Sequence, residues 1–272
     1  MNASAPVFGD DDLTREAMRF GADAGLFAAE RYHFHACLDS TNREAMALAR
    51  AGASEGTVVV ADAQTGGRGR LGRRWESPAG ENLYVSVVLR PEMPVCEASR
   101  LTLMAGVAVV EAVREAGVSG ACLKWPNDLL VEGRKLAGIL TEMSVEGERM
   151  RHVVVGIGVN VNGRAADFSP EVAARAVTMA DILHRPCGRA FLLSALLAGL
   201  ERWYHRLRVE GFEPVLQAWK SRAVPAGQRV RIETSGSVCE GWLEDLDAQG
   251  FLLVRDLHGR QQRVLAGDVT LV

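Results

Sequence analysis

The chain has 272 residues, 48% of them hydrophobic, with 31 basic against 34 acidic side chains and a formal net charge of -3. That suffices for one large domain with a small companion, and the near balance of charge excludes a surface built throughout to hold nucleic acid, so any basic function is local. Five scattered cysteines without CxxC spacing fit a reduced compartment, not a disulfide frame or zinc knuckle; with no basic start before an apolar run and no apolar stretch long enough to span a bilayer, a cytoplasmic protein without a membrane partner is expected.

In chain order, residues 1–30 read as a tail with at most one short helix, because glycines interrupt its helix formers. "HFHACLD" alternates as a strand, and "STNREAMALARAG" reads as a helix with Thr41 and Glu44 in capping-box spacing and Gly52 as its stop. "TVVVADAQ" is a β-branched strand running into "QTGGRGRLGRRW", which must be a loop. After the strand "NLYVSVVLR", "EASRLTLMAGVAVVEAVREAG" predicts a long, half-buried helix ended by Gly117. "ACLKW", "DLLVEGRKLAGILTEMSVE" and "RHVVVGIGVNVN" predict a meandering sheet with turns at Gly133 and Gly147. Residues 163–187 carry only weak signals, and "AFLLSALLAGLERWYHRLRVEG" resumes as an amphipathic helix. From residue 222 on, "QRVRIET", "SVCEGWLEDL", "FLLVRD" and "QQRVLA" are short strands without a helix between them, as in a small β barrel. The class is therefore α+β: a mixed β-sheet with flanking helices over residues 31–221, then a barrel over 222–272.

The loop at 64–75 holds four arginines and four glycines. Gly67, Gly69 and Gly72 satisfy GxGxxG, and Glu92 follows 20 residues after Gly72, yet Pro78 and Gly80 leave no room for the helix whose N-terminus a dinucleotide site requires. An anion here would be held by the guanidiniums of Arg68, Arg70, Arg73 and Arg74, on glycines that let the loop fold over a ligand and exclude water. A solvated basic loop and a nucleic-acid tract remain open for this stretch alone; Trp75, beside it, offers a face on which a base could stack. Of the 31 basic residues only three are lysines, Lys124, Lys135 and Lys220. Where arginine so dominates, a retained lysine suggests a task for a compact ammonium. Lys124 precedes the tight turn at Pro126 and Asn127, and Asn160 ends another strand; Asn160 and Asn162 are equally suited to be plain turn residues. His33 and His35 share a strand face but have no further ligands near them in sequence, so no metal site is assigned. Ser40 lacks a companion base, which argues against a nucleophile.

Six ordered motifs carry a resemblance: "DSTN" at 39–42, "GRGRLGRRW" at 67–75, "NLYVSV" at 82–87, "KWPNDLL" at 124–130, "RKLAGIL" at 134–140 and "GIGVN" at 156–160. Together they resemble the biotin protein ligases, strongly from about residue 34 to 165 and through layout alone beyond. The resemblance implies a class II synthetase-like catalytic domain with an SH3-like barrel, and an ATP-dependent synthesis of biotinyl-5'-AMP followed by transfer of biotin to a carrier lysine. It implies Ser40, Thr41, Asn42, Gln64, Gly67, Arg68, Gly69, Arg70, Lys135 and Gly138 for biotin, and Arg70, Arg73, Trp75, Lys124, Asn127, Lys135 and Asn160 for ATP and the adenylate. Lys135, Lys124 and Arg70 would be catalytic; Arg74 and Asp128 are given no contact. Mg²⁺ would come with ATP, the protein partner would be a biotin carboxyl carrier domain, and a homodimer is plausible by analogy. Some members carry an N-terminal winged helix-turn-helix; residues 1–30 are short for one, so no DNA partner is expected. A lipoate or octanoate enzyme of the same fold is the first alternative and a DNA-binding regulator the second.

Overall fold

The structure, a computed structural model, describes Leu13 and residues 25–164, 167–234 and 236–272. Most of the 1–30 tail lies outside the described residues; the Leu13 carbonyl accepts a hydrogen bond from the Tyr32 hydroxyl at 2.9 Å.

Seven strands form the main sheet: β1 (Tyr32–Leu38), β2 (Val58–Gln64), β3 (Leu83–Leu89), β4 (Cys122–Lys124), β5 (Asp128–Val131), β6 (Arg134–Glu146) and β7 (Arg149–Val159), in the order β1-β2-β3-β7-β6-β5-β4. β1 and β2 are parallel because the helix α1 (Thr41–Arg50) crosses between them, and the other pairs are antiparallel. The expected meander is present, with Gly133 and Gly147 at φ 75° and 60°. Register places Ser86, Gly156 and Leu140 in one cross-strand row and Tyr84, Gly158 and Gly138 in the next. Those two rows become the floor of the cavity described below.

The two faces of the sheet are covered unequally. α1 lies over a small cluster of Ala45, Ala49, Val59, Val88 and Val154. The other face carries the main core, under α2 (Ser99–Glu115); two short helices, α3 (Pro170–Ala173) and α4 (Met179–Leu183), precede α5 (Arg189–Glu210) and α6 (Glu213–Lys220). α2 is buried on nearly every side rather than half-buried as expected, because the sheet takes one flank and α5 and α6 the other. The capping-box expectation also fails: the N-cap is Ser40, whose side chain makes no capping bond, and Thr41 turns its hydroxyl to Gln64. α6 was not anticipated, being only eight residues long and set between turn signals.

The C-terminal unit is a five-stranded antiparallel sheet in the order β11-β10-β9-β8-β12. Its strands are β8 (Arg229–Glu233), β9 (Val238–Leu246), β10 (Leu252–Asp256), β11 (Gln261–Val264) and an unanticipated β12 (Asp268–Leu271). It is fastened to the first unit by Trp125, whose indole N–H donates to the Gly250 carbonyl at 3.1 Å, and by the Lys220–Asp245 ion pair at 2.7 Å. No helix among the described residues is long and apolar enough to cross a membrane.

Candidate active site

A cavity of about 390 Å³ opens on the α1 face of the sheet, between the arginine–glycine loop, residues 168–176 and β12. Among its walls are Ser40, Thr41, Asn42, Gln64, Arg68, Gly69, Arg70, Arg73, Trp75, Lys124, Asn127, Lys135, Gly138 and Asn160. Gly67 is not among them: a Cβ there would lie 2.4 Å from the Trp75 carbonyl oxygen, so this glycine serves close backbone packing. His33 is exposed and His35 half-buried on the edge strand β1, away from the cavity walls.

One end of the cavity is neutral and fully hydrogen-bonded. The Gln64 carboxamide oxygen accepts the Thr41 backbone N–H at 2.8 Å and its hydroxyl at 3.2 Å, while Gln64 Nε2 donates to Ser77 Oγ at 2.9 Å. That backbone bond satisfies one of the free amides at the start of α1. Beneath them the Ser86 hydroxyl, inaccessible to solvent, lies 2.8 Å from Thr41 Oγ1 and 2.6 Å from Asn42 Oδ1. Asn42 Nδ2 donates onward to the Leu140 carbonyl at 3.1 Å and to Glu142 Oε2 at 2.8 Å. The floor is glycine because nothing larger fits: a Cβ on Gly156 would meet Asn42 Oδ1 at 1.9 Å, and one on Gly158 would meet the Trp75 ring at 2.5 Å.

The other end is cationic, and its cations already hold carboxylates. Asp128, 9% exposed, takes Lys135 Nζ at 2.6 Å and Lys124 Nζ at 3.0 Å. Burial pushes the Asp128 carboxyl up, but the two ammoniums outweigh it and hold it below the usual carboxylate range. Arg70 donates to Asn127 Oδ1 and to the Gly267 carbonyl, both at 3.2 Å. Burial lowers its pKa, against Asp268 and Asp128, which raise it. Arg73 pairs with Asp268 at 2.5 Å, and Lys124 Nζ also donates to the Val269 carbonyl at 2.6 Å. Trp75 stands between the two ends, its ring centroid 5.5 Å from Lys135 Nζ and its indole N–H buried without a partner.

The roof consists of two segments. The arginine loop closes on itself through Gly69 N–H to the Arg73 carbonyl at 2.7 Å and Trp75 N–H to the Gly67 carbonyl at 2.9 Å, with Leu71 and Gly72 turning at positive φ. Residues 168–176 bring Phe168, Val172, Arg175 and Ala176 over the cavity and are tied to the loop's end by the Glu76 carboxylate, which accepts from Ser169. Asn160, 5% exposed, holds this roof down by donating to the Lys135 and Val177 carbonyls at 3.3 and 3.2 Å. Sequence reasoning missed Asp128, Ser86, Glu142, the 168–176 roof and β12. Only Asp128 had a local signal, as an acid inside a motif that holds a rare lysine.

The arrangement offers fixed hydrogen-bonding groups at one end, cations at the other and the Trp75 ring between them. Residues 34–160 match the Biotin/lipoate A/B protein ligase family, and residues 226–272 match the Biotin protein ligase C terminal domain. The chain is 36% identical to the bifunctional ligase/repressor BirA of Bacillus subtilis over 95% of its length and 79% of that protein. It is 37% identical to the biotin--[acetyl-CoA-carboxylase] ligase of Paracoccus denitrificans, over 82% and 93% of the two chains. The biotin protein ligase of Aquifex aeolicus in complex with biotin and ATP superposes with a TM-score of 0.77 at 30% identity, over 89% of this chain and 98% of that one. With this degree of identity over nearly its whole length and the same two-unit fold, the chain belongs to the biotin protein ligase family.

Proposed function

We propose that this chain joins biotin to ATP, forming biotinyl-5'-AMP and pyrophosphate, and then passes biotin to a lysine of a biotin carboxyl carrier domain. The observation that carries this reading is the polarity of one cavity: Thr41, Asn42 and Gln64 at a neutral end and the Lys124–Asp128–Lys135 cluster at the other. The first group suits a ureido ring with donors and an acceptor. The second suits a carboxylate that must approach a phosphate.

That approach is the chemical difficulty, since two like charges about 4 Å apart repel by about 4 kcal/mol at an effective dielectric near 20. Lys135 and Arg70 offset the repulsion and hold the reacting groups in line, with Lys124 beside them. A biotin carboxylate oxygen attacks the α-phosphorus, the bond to the bridging oxygen of the β-phosphate breaks, and pyrophosphate leaves. The carrier amine then attacks the acyl carbon, AMP departs with the bonding pair, and the amine proton is lost to solvent or a nearby base. Arg73, Trp75, Asn127 and Asn160 serve the adenylate in this reading. Mg²⁺ would travel on the ATP phosphates and water, because Asp128 and Asp268 are engaged by cations and no trio of His, Cys, Asp or Glu among the described residues is placed to hold a metal. Residues 31–221 act as the catalytic unit, and residues 222–272 contribute through β12, which lends the Val269 carbonyl and Asp268 to the cationic end.

Exchange of labelled pyrophosphate into ATP tests the proposal. Exchange is expected with biotin; exchange that requires octanoate or lipoate and ignores biotin overturns it.

A further inference from the structure

Three arginines fasten the loop to the rest of the cavity, and they do so at different ends. Arg70 and Arg73 reach Asn127, the Gly267 carbonyl and Asp268 beside the phosphate end, where an incoming polyanion competes for them. Arg68 reaches the opposite end, with Nη2 at 2.8 and 2.7 Å from the two carboxylate oxygens of Glu142 on β6. One of those oxygens, Oε2, also accepts Asn42 Nδ2 at 2.8 Å. Glu142 pairs with Val154, two residues along the strands from the Ser86–Gly156–Leu140 row. It therefore sits at the rim of the neutral end, where it joins Asn42 at the start of α1 to a roof residue.

We propose that Glu142 is a positioning residue, a latch that holds Arg68 and the loop over biotin and its adenylate. The idea rests on the function proposed above. The pair is half-exposed, with side chains 37% and 28% accessible for Arg68 and Glu142, so its strength is modest and it can open and reclose as ligands pass. No phosphate of the ligand falls at this end, so the latch persists while Arg70 and Arg73 exchange partners. Retention of a reactive acyl adenylate then depends on an ion pair that lies outside the reacting atoms.

The experiment measures release of bound biotin and escape of biotinyl-adenylate from the full chain, for the parent, Glu142→Gln, Arg68→Ala and the double variant. Glu142→Gln keeps an acceptor for Asn42 while removing the ion pair, and Arg68→Ala lies on a loop where truncation spares the core. Each single variant is expected to speed both releases about fivefold, as for loss of a partly exposed pair, and to raise KM for biotin more than it lowers kcat. The double variant is expected to match the singles rather than multiply them. Parental release rates in either single variant, or multiplicative effects in the double, overturn the latch while leaving the ligase reading intact. A parent that binds no biotin overturns both.

Discussion

The two ends of the cavity solve opposite problems. The neutral end is built where the first turn of α1 meets the sheet: Thr41 and Asn42 are locked to Gln64 on β2 and Ser86 on β3 over a glycine floor, with little freedom to adjust. The cationic end is assembled from three separate stretches, β4–β6, the arginine loop and β12, and its cations other than Arg70 rest on Asp128 and Asp268. Recognition of an uncharged head requires fixed partners, because each hydrogen bond is worth only about 1 kcal/mol and misplacement forfeits it. Charge stabilisation at the tail requires cations that remain satisfied until an anion arrives, because an unpaired buried charge is costly.

Substitutions at the two ends separate these roles. Asp128→Asn removes the counter-charge shared by two lysines and is expected to cost about 3 kcal/mol in unfolding free energy near neutral pH, the low side for a buried pair since Lys135 remains a third exposed. Because the folded-state pKa of Asp128 is depressed, its contribution is complete above the ordinary carboxylate value near 3.9 and lost as pH falls through the lower folded value. The gap between parent and variant in denaturant unfolding is therefore expected to narrow below about pH 4; a constant gap contradicts the pairing. Gly156→Ala forces a methyl against a pinned Asn42 and is expected to weaken biotin binding about 30-fold, or roughly 2 kcal/mol, with ATP affinity little changed by calorimetry. Equal losses for both ligands would mean that the floor is not specific to the neutral end.

Lys135→Arg keeps the charge but brings a fork into a space bounded by Trp75 and Gly138, where a Cβ would already lie 3.2 Å from Nζ. Adenylate formation is expected to fall at least about tenfold, near 1.4 kcal/mol, whereas Lys220→Arg, on a surface pair with Asp245, stays within about twofold. A small effect is expected from Asp268→Ala, above only that of Lys220→Arg: its partner Arg73 is 58% exposed, so KM for ATP shifts by about two- to threefold.

Much of this architecture was legible because it is local. The β-branched runs, the Gly133 and Gly147 turns and the motifs around Lys124 and Lys135 each declare themselves within a few residues. What escaped depends on partners far apart in the chain. Arg68 meets Glu142 across 74 positions and Arg73 meets Asp268 across 195, and no spacing rule connects them. Gly156 and Gly158 read only as part of the strand "RHVVVGIGVNVN", with nothing local to mark them as positions where two side chains press on the backbone. Thr41 and Glu44 had the spacing of a cap, and a glutamine 23 residues away claimed the threonine instead. The 168–176 roof was obscure because it is held by Glu76 and Asn160 more than by its own periodicity.

The carboxylates resting against Arg68, Arg73, Lys124 and Lys135 also set how this protein responds to ionic strength. An open loop of bare arginines would be surrounded by mobile counter-ions, and a polyanion that displaced them would lose affinity steeply as salt is added. Here the counter-ions are part of the chain, anchored on β5, β6 and β12. Binding trades one fixed anion for another and releases few ions to the bulk. The affinity for ATP is accordingly expected to fall only gently with added salt, buffering the site against changes in the surrounding electrolyte.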